Sequence, residues 1–357
     1  MVKRLLVLRA GSAASNNLIR SLKAGDPSLF IVGCHDDRFV LKKSPADRNY
    51  LVSLASRRGL ARALRRVIEA EHIDLLIPNS EADVTTVSNL RDRLPCRTFL
   101  PRKTVIERCQ DKYQLTEFLG RRGLPVPLTY PVTTLKDIEE LFCRLAPSAQ
   151  LWCRIRKGTG SIGAIPVKSP EQTRSWIKYW QEMRGVPAGS FTLSEYLPGR
   201  DFCVQCLLKE GKLIMAKMHE RLSYYVAGGG PSDVSSTAAL AKMIFEPRVL
   251  EVSRKAIHAL DPRASGAFFV DLKQNAGAKP CITEINAGRF ANVPTIHDLA
   301  GPENLVLTYV RVALGESVRA RNARKPAEDC YVLRGIDTLP AVFRAGELFE
   351  GIDDARE

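Results

Sequence analysis

The sequence predicts an α/β protein: a parallel, doubly wound sheet at the N-terminus, then an α+β unit of two lobes built on antiparallel strands. Three observations carry this. Residues 1–100 alternate apolar strand-like stretches with helical ones in βαβαβ order, and parallel strands need such crossovers. From residue 150 onward strand-like stretches follow one another, with only two helical interruptions. The chain has 357 residues, 45% of them hydrophobic, which suits two or three domains rather than one.

Each element has its own signal. "RLLVLRA" (4–10) reads as a buried strand. The chain start imitates a leader peptide, but the apolar patch "LLVL" is shorter than the roughly 7–15 residues a leader core needs. "GSAASNNLIRSLKAG" (11–25) turns into a helix closed by Gly25, and "LFIVGCH" (29–35) is the next strand. Residues 36–49 read as a loop. "GLARALRRVIEAEH" (59–72) is a helix, "IDLLIP" (73–78) a strand and "EADVTTVSNLRDRL" (81–94) a helix. The first loop carries one glycine rather than G-x-G-x-x-G, which is little support for a dinucleotide site. Two helical segments lie in 103–127, and "TTLKDIEELFCRL" is a helix with Thr134 as N-cap and Asp137 three residues on. The antiparallel strands are 150–156, 164–168, 191–197, 202–209, 212–222, 266–273 and 281–286, interrupted by helices at 169–183 and 246–260. The tail from 318 is basic, then mixed, with one strand at 329–337. No internal repeat is evident.

Composition narrows the function classes. No apolar run approaches the ~20 residues that span a bilayer, so no membrane partner is expected. Nine cysteines without a framework suit a reducing cytoplasm. Cys203 and Cys206 sit three apart in a strand, on opposite faces, and read as core cysteines rather than a metal or redox pair. The net charge of +14 admits nucleic acid or an anionic small substrate. The densest basic run, "RRGLARALRR" (57–66), reads as a solvated helix face, and no nucleic-acid signature accompanies it.

"RIRKGTGSIG" (154–163) can wrap a phosphate or be a plain hairpin. A P-loop ends in Lys-Ser/Thr and opens a helix. Here a short strand follows Gly163, and only then a helix capped by Ser169 with Pro170 at its first position. The loop therefore joins two strands as a flap whose N–H groups could fold over phosphate oxygens. Arg154 and Arg156 alternate with Ile155 and are expected on one strand face.

"FFVDLKQNAGAKPCITEIN" (268–286) is the second informative stretch. A turn centred near Gly277–Ala278 puts Asp271 opposite Glu284, with Asn286 on the same face as Glu284. Opposed carboxylates repel unless a hard cation lies between them. The bland reading is exposed polar positions. Against it, the flanking "GAFFV" and "CITEI" are strongly apolar, and all three side chains offer oxygen ligands. A one-residue slip would separate the faces.

These pieces, in this order, resemble the ATP-grasp ligases over roughly residues 3–340, especially the ATP-binding halves of the carbamoyl-phosphate synthetase large subunit and related carboxylate–amine ligases. The resemblance implies a preATP-grasp (Rossmann-like) domain at 1–105, including "SPADRNY" and "IPNSEADV". It implies an ATP-grasp small lobe with the glycine flap at 106–190, a large lobe with the metal site at 191–320, and a C-terminal extension at 321–357 packing on the large lobe. "RIRKGTGSIG" matches the family's Lys-Pro-x-x-Gly-x-Gly-Ser-x-Gly loop, with Arg154 in the phosphate-binding lysine position and Gly158, Gly160, Ser161 and Gly163 around the phosphates. Lys112, after Asp111, matches the helix whose basic residue reaches nucleotide phosphate. Glu195, Tyr196 and Leu197 of "SEYLPGRDF" would line the adenine, and Asp201 takes the place of the acid on the ribose hydroxyls. Glu284 and Asn286 of "EIN", with Asp271, match the metal ligands. Arg289 resembles the arginine that steadies the acyl phosphate. "HERLSYYVAGGGPS" resembles the segment with a basic residue, Arg221, and a glycine-rich turn over the site.

Three departures stand out: Arg154 and Lys157 alter the loop's shape while keeping charge, Asp271 is one methylene shorter than the usual Glu, and "EINAGRF" has one residue more than Asn-Pro-Arg. The resemblance implies ATP and Mg²⁺, with Mn²⁺ as a substitute, small carboxylate and amine substrates, and amide formation through an acyl phosphate. Arg154, Arg221 and Arg289 would serve the chemistry. Phosphoryl transfer without ligation, and a non-catalytic nucleotide- or nucleic-acid-binding protein, are the alternatives. His219, beside Glu220, reads as structural or as a base. A homodimer is compatible with the sequence, which does not name the substrates.

Overall fold

The computed structural model describes residues 2–52, 57–146, 148–225, 234–301, 303–320, 329–335, 338–347 and 350. The chain opens β1 (Arg4–Leu8), α1 (Ala13–Gly25), β2 (Phe30–His35), α2 (Arg38–Leu41), β3 (Arg48–Leu51), α3 (Arg57–Ala70), β4 (Leu75–Ile77) and α4 (Glu81–Leu90). Its four strands form a parallel sheet in the order β3-β2-β1-β4. Residues 36–49, expected as a loop, contain α2 and the start of β3. The strand is short and largely exposed, so it carries no apolar alternation to read. A Cβ on Gly11 would lie 1.9 Å from the Val40 carbonyl oxygen. The chain itself fills the space a side chain at Gly11 would need.

Next come α5 (Lys103–Gln110), α6 (Lys112–Gly120), β5 (Thr129–Pro131), α7 (Ile138–Leu145), β6 (Leu151–Ile155), β7 (Ile165–Val167), α8 (Pro170–Arg184) and β8 (Phe191–Glu195). Asp111 separates α5 from α6 by capping the latter, its Oδ1 accepting from the Tyr113 and Gln114 N–H groups. Helix α7 starts at Ile138 rather than after Thr134. The Thr134 hydroxyl is taken by a local turn, accepting from Lys136 N and donating to Asp137 Oδ1, and this delays the first helical turn. Ser169 caps α8 with Pro170 in its first turn, and Gly185 ends it in the left-handed region. The small sheet runs β5-β8-β6-β7, all antiparallel. It has its own core, where Trp176, Ile177 and Trp180 of α8 pack on Cys153, Phe191 and Leu193.

The remainder is β9 (Asp201–Lys209), β10 (Lys212–Tyr224), β11 (Ala238–Ile244), α9 (Pro247–Leu260), β12 (Gly266–Gln274), β13 (Pro280–Ala287), α10 (Asn292–His297), α11 (Leu305–Ala313), β14 (Cys330–Leu333) and β15 (Ala341–Arg344). Among the described residues the strands make a sheet in the order β13-β12-β9-β10-β11-β14-β15. Strands β5, β11 and β15 and helices α10 and α11 escape the sequence pattern. Helix α11, "LVLTYVRVA", is apolar almost all round because it is buried, so it shows no helical stripe. One face of the large sheet, with Phe202, Val204, Cys206, Phe268 and Val270, shares a core with α9, α5 and the parallel sheet. Cys203 is buried on the other face, beside Phe269 and Ala291. The two cysteines thus occupy opposite faces.

Gly163, at the foot of the flap, has φ of 74°. A Cβ there would lie 2.3 Å from Ile155 Cδ1, and the Gly163 carbonyl accepts from Trp176 Nε1 at 3.0 Å. Gly163→Ala is expected to cost about 1–3 kcal/mol through overpacking, measured by urea denaturation followed by tryptophan fluorescence.

Candidate active site

The polar face of the large sheet is the floor of a cavity of about 820 Å³, within the ~300–1,000 Å³ of small-molecule sites. Alternation places Asp201, Cys203 and Gln205 of β9 on this face, with Arg221, His219 and Lys217 of β10 directly opposite them. Asp271 of β12 pairs with Cys203 on one side and Glu284 of β13 on the other. Asn286 follows on the same face, and both β13 residues line the cavity. The expected opposition of Asp271 and Glu284 is therefore present, but it is reached differently. The hairpin is centred on Gly277, as Leu272 pairs with Ile282 and Gln274 with Pro280. Thr283 is then an extra residue, a β-bulge that shifts the register by one and turns Glu284 to the floor.

Arg221 lies between two carboxylates, donating to Asp201 Oδ1 at 2.6 Å and Asp271 Oδ1 at 2.5 Å. Tyr224 donates to the other Asp201 oxygen. The sequence reading had Arg221 meeting developing charge and Asp201 meeting a ribose. In the structure they hold each other, so Arg221's charge is already engaged by two carboxylates. Burial, with Glu284 adding to it, holds Asp271 above the ordinary carboxylate range despite Arg221. Asn286 Nδ2 is 3.5 Å from Asp271 Oδ2, and its Oδ1 accepts from Arg289. Arg289 lies 5.0 Å over the Phe269 ring and lines the cavity, so the extra residue before it leaves it at the site. The Glu284 side chain has no hydrogen bond among the described residues; its nearest cation is Lys112 Nζ, at 3.7 Å.

The roof comes from the small sheet. Arg154, at the end of β6, is buried and reaches across to β13, where Nη2 donates to the Thr283 carbonyl at 3.1 Å. Its Nε has no partner among the described residues, and burial pushes its pKa down. Arg156 does not join it. Its guanidinium is taken by Asp111 at 2.9 Å and lies over the Tyr113 ring. The expected cation pair is thus one cation, because Asp111 both caps α6 and binds Arg156. Lys112 Nζ donates to the Gly158 carbonyl at 2.5 Å, inside the cavity. Gly158, Gly160 and Ser161 line it too, all with positive φ. Gly163 closes the flap against Ile155 and is not a lining residue.

At the other side, Glu195, Tyr196 and Leu197 line the cavity with Trp152 and Lys273. Lys273 Nζ is 5.7 Å from the Tyr196 ring centroid, and burial raises the Glu195 pKa. Trp152, Lys273 and Arg334 were not singled out from sequence; Lys273 was readable, sharing its strand face with Asp271. His219 is buried on the floor with Nδ1 unpartnered among the described residues. Burial and the charges of Arg221 and Arg334 keep it far below the usual histidine range, hence neutral. Glu220 points the opposite way and pairs with Arg200, so it is no partner for His219. The glycine-rich stretch expected over the site falls in 226–233, outside the described residues.

Among the described residues no three His, Cys, Asp or Glu side chains form a ready metal cage. Two opposed carboxylates and an amide, all oxygen donors, nonetheless fit Mg²⁺, which is bound by one or two carboxylates completed by waters and phosphate oxygens.

No family model matches the chain. It is 24% identical over 220 residues to a probable alpha-L-glutamate ligase of Legionella pneumophila (strain Corby), covering 60% of this chain and 68% of that protein. A probable alpha-L-glutamate ligase of Chromohalobacter salexigens is 26% identical over 242 residues, covering 65% and 75%. Among solved structures, L-amino acid ligase from Bacillus licheniformis superimposes with a TM-score of 0.67 at 14% identity, over 93% of this chain and 79% of that one. Biotin carboxylase from Campylobacter jejuni gives 0.72 at 14% identity, over 94% and 76%. Likeness at this identity speaks for architecture, and on that ground the chain has the fold of the ATP-grasp ligases.

Proposed function

We propose that the protein is an ATP-dependent carboxylate–amine ligase that forms an amide through an acyl phosphate. The observation that carries this is the pair Asp271–Glu284, with Asn286, facing Lys112 and Arg154 across one cavity beneath a glycine flap. The named relatives are ligases, and a carboxyaminoimidazole ribonucleotide synthase of the same fold, from Aspergillus clavatus, is described as complexed with ATP.

In this reading Arg154 Nε, Lys112 and the N–H groups of Gly158, Gly160 and Ser161 bind phosphate oxygens, with Gly163 setting the flap's end. Glu195, Tyr196 and Leu197 take the base, and Asp201 keeps lone pairs for the ribose. Asp271, Glu284 and Asn286 would hold Mg²⁺, or Mn²⁺ in its place, which when bound neutralises phosphate charge. Arg289, beside Asn286, holds the reacting carboxylate. One carboxylate oxygen attacks the γ-phosphorus as the bond to the bridging oxygen breaks and ADP leaves. The amine then attacks the acyl carbon, gives up a proton, and phosphate departs with the C–O electron pair. The protein's part is positioning and charge neutralisation.

We further assign 1–105, 106–190, 191–320 and 321–357 as the preATP-grasp domain, small lobe, large lobe and extension. The cytoplasm is the proposed setting, since all nine cysteines are free. Among the described residues no helix is long and apolar enough to cross a membrane.

The test is ADP release by the purified protein with Mg²⁺ and paired acids and amines, beginning with L-glutamate among amino-acid pairs. ADP formed only when both are present supports ligation. ADP with acid alone, and a stable phosphorylated product, supports phosphoryl transfer instead. No turnover together with tight, salt-sensitive RNA or DNA binding would overturn both.

A further inference from the structure

Of the two arginines that precede the flap, Arg154 lines the cavity and Arg156 does not. The Arg156 guanidinium is engaged by one carboxylate. Its Nε and Nη2 donate to Asp111 Oδ1 and Oδ2, at 3.2 and 2.9 Å. The Asp111 side chain is 4% exposed and that of Arg156 24%, so water competes little for the contact. A two-bond fork of this kind fixes orientation as well as distance. Lys157 comes within 4.0 Å of the same carboxylate, but its side chain is 71% exposed, so it contributes little.

Two elements of the phosphate side meet at Asp111. Its Oδ1 also caps α6, accepting from the Tyr113 and Gln114 N–H groups at 3.1 and 3.2 Å. Helix α6 opens with Lys112, whose Nζ reaches the Gly158 carbonyl inside the cavity. Arg156 stands two residues before Gly158, at the rising foot of the flap. Its backbone is tied on both sides. The N–H donates to the Ser190 carbonyl at 2.8 Å, and the carbonyl accepts from the Lys112 N–H at 3.0 Å. The guanidinium also lies 5.0 Å over the Tyr113 ring. The falling foot refers to the same stretch, because Gly163 packs against Ile155. Lys112 and both feet of the flap are therefore placed by Asp111 and residues 154–156, yet neither Asp111 nor Arg156 lines the cavity.

We infer that the Asp111–Arg156 pair is a positioning device that sets Lys112 and the glycine flap in register on one polyphosphate. The inference rests on the ligase reading and deepens its phosphate site. Both residues act through others: Lys112 and the flap N–H groups meet the phosphate oxygens, and the pair fixes the distance between them. Misplacing oriented groups by about 1 Å can cost ~10²-fold in rate. A joint shared by both phosphate-binding parts has a leverage that an exposed ion pair lacks.

The test measures dissociation constants by calorimetry for AMP, MgADP and the magnesium complex of AMPPNP, whose β–γ bridge is nitrogen and resists transfer. The tightening from AMP to AMPPNP reads the grip on the added phosphates, since the base side is common to all three. Asp111→Asn keeps a capping side chain and removes the charge; Arg156→Met keeps an apolar stem and removes the fork. Each is expected to cut the tightening about 10-fold or more, the size of a lost charged hydrogen bond. The double variant is expected to lose no more than either single one, as for two residues that act as a unit. Arg156→Lys is expected to recover only part, because an ammonium cannot reproduce two parallel bonds. Full tightening in both folded single variants overturns the inference. So does a weakening that is equal for AMP and AMPPNP, which is what a merely structural pair would give. Tighter AMPPNP binding in Asp111→Asn with weaker binding in Arg156→Met also overturns it, since Arg156 would then be a phosphate cation freed by the loss of its partner. A wild type that gains nothing from added phosphates sinks the ligase reading first and this inference with it, so the two failures are distinguishable.

Discussion

Glu284→Gln is expected to cut acid- and amine-dependent ADP release by roughly 10²–10³-fold, the loss typical of removing one group that stabilises transition-state charge. The fold should hardly notice. The Glu284 side chain makes no hydrogen bond among the described residues, and its ion partner Lys112 is 3.7 Å away. A partly exposed pair at that distance is worth at most ~1 kcal/mol, so urea denaturation should overlay the wild type. Glutamine preserves shape and removes only the charge opposite Asp271. Steady-state rates over a Mg²⁺ series give the answer. A folded variant that keeps more than about a tenth of the wild-type rate would remove Glu284 from the metal set, since a dispensable ligand cannot supply such stabilisation.

Arg221→Met acts on the other part of the floor and is expected to be the more damaging to stability. The substitution leaves Asp201 and Asp271, each only slightly exposed, beside one another with no cation between them. Breaking a fully buried ion pair from one side costs about 3–5 kcal/mol, which is the upper bound for this partly exposed one. The pH dependence has a definite sign. Burial and Glu284 already raise the Asp271 pKa, so the folded state holds that proton to higher pH than the unfolded chain does. The resulting stabilisation is present at low pH and is lost as pH rises through the raised value. Without Arg221 the pKa rises further. The deficit should therefore be smaller at acid pH than at neutral pH. Urea midpoints at both pH values decide it: a deficit that does not change with pH means that the loss comes from packing rather than from uncompensated charge.

Much of the site was legible because its parts are local. The flap shows itself by a strand after Gly163 instead of a helix, and the structure keeps that order, with β7 at Ile165–Val167 and α8 only at Pro170. Lys112 was readable only through the resemblance, and the structure adds that Asp111 caps the helix that Lys112 opens. The parts that were not legible depend on partners far along the chain. Arg156 has the same charge and strand parity as Arg154, but Asp111 takes it out of the cavity. Glu220 was no neighbour for His219 because adjacent strand residues face opposite ways, and Arg200 takes it instead. Arg334 lies in a tail whose short strand gave no hint that it would pair with β11 and reach the cavity.

The hairpin of Asp271 and Glu284 divides the two contributions most clearly. By itself the sequence determined that two apolar strands with embedded acids meet at a turn rich in Asn, Gly and Ala, because side-chain period and turn chemistry are set by neighbouring residues. Only the tertiary structure decided how the acids face. Asn275 Oδ1 accepts from the N–H groups of Gly277 and Lys279 and centres the turn on Gly277. That register alone would set Asp271 against Thr283. The bulge at Thr283 restores the opposition with Glu284, and the Thr283 carbonyl accepts from Arg154, which lies more than a hundred residues earlier in the chain. Local alternation cannot specify such a bulge, since its residue pays for a broken ladder only through contacts made in the folded protein.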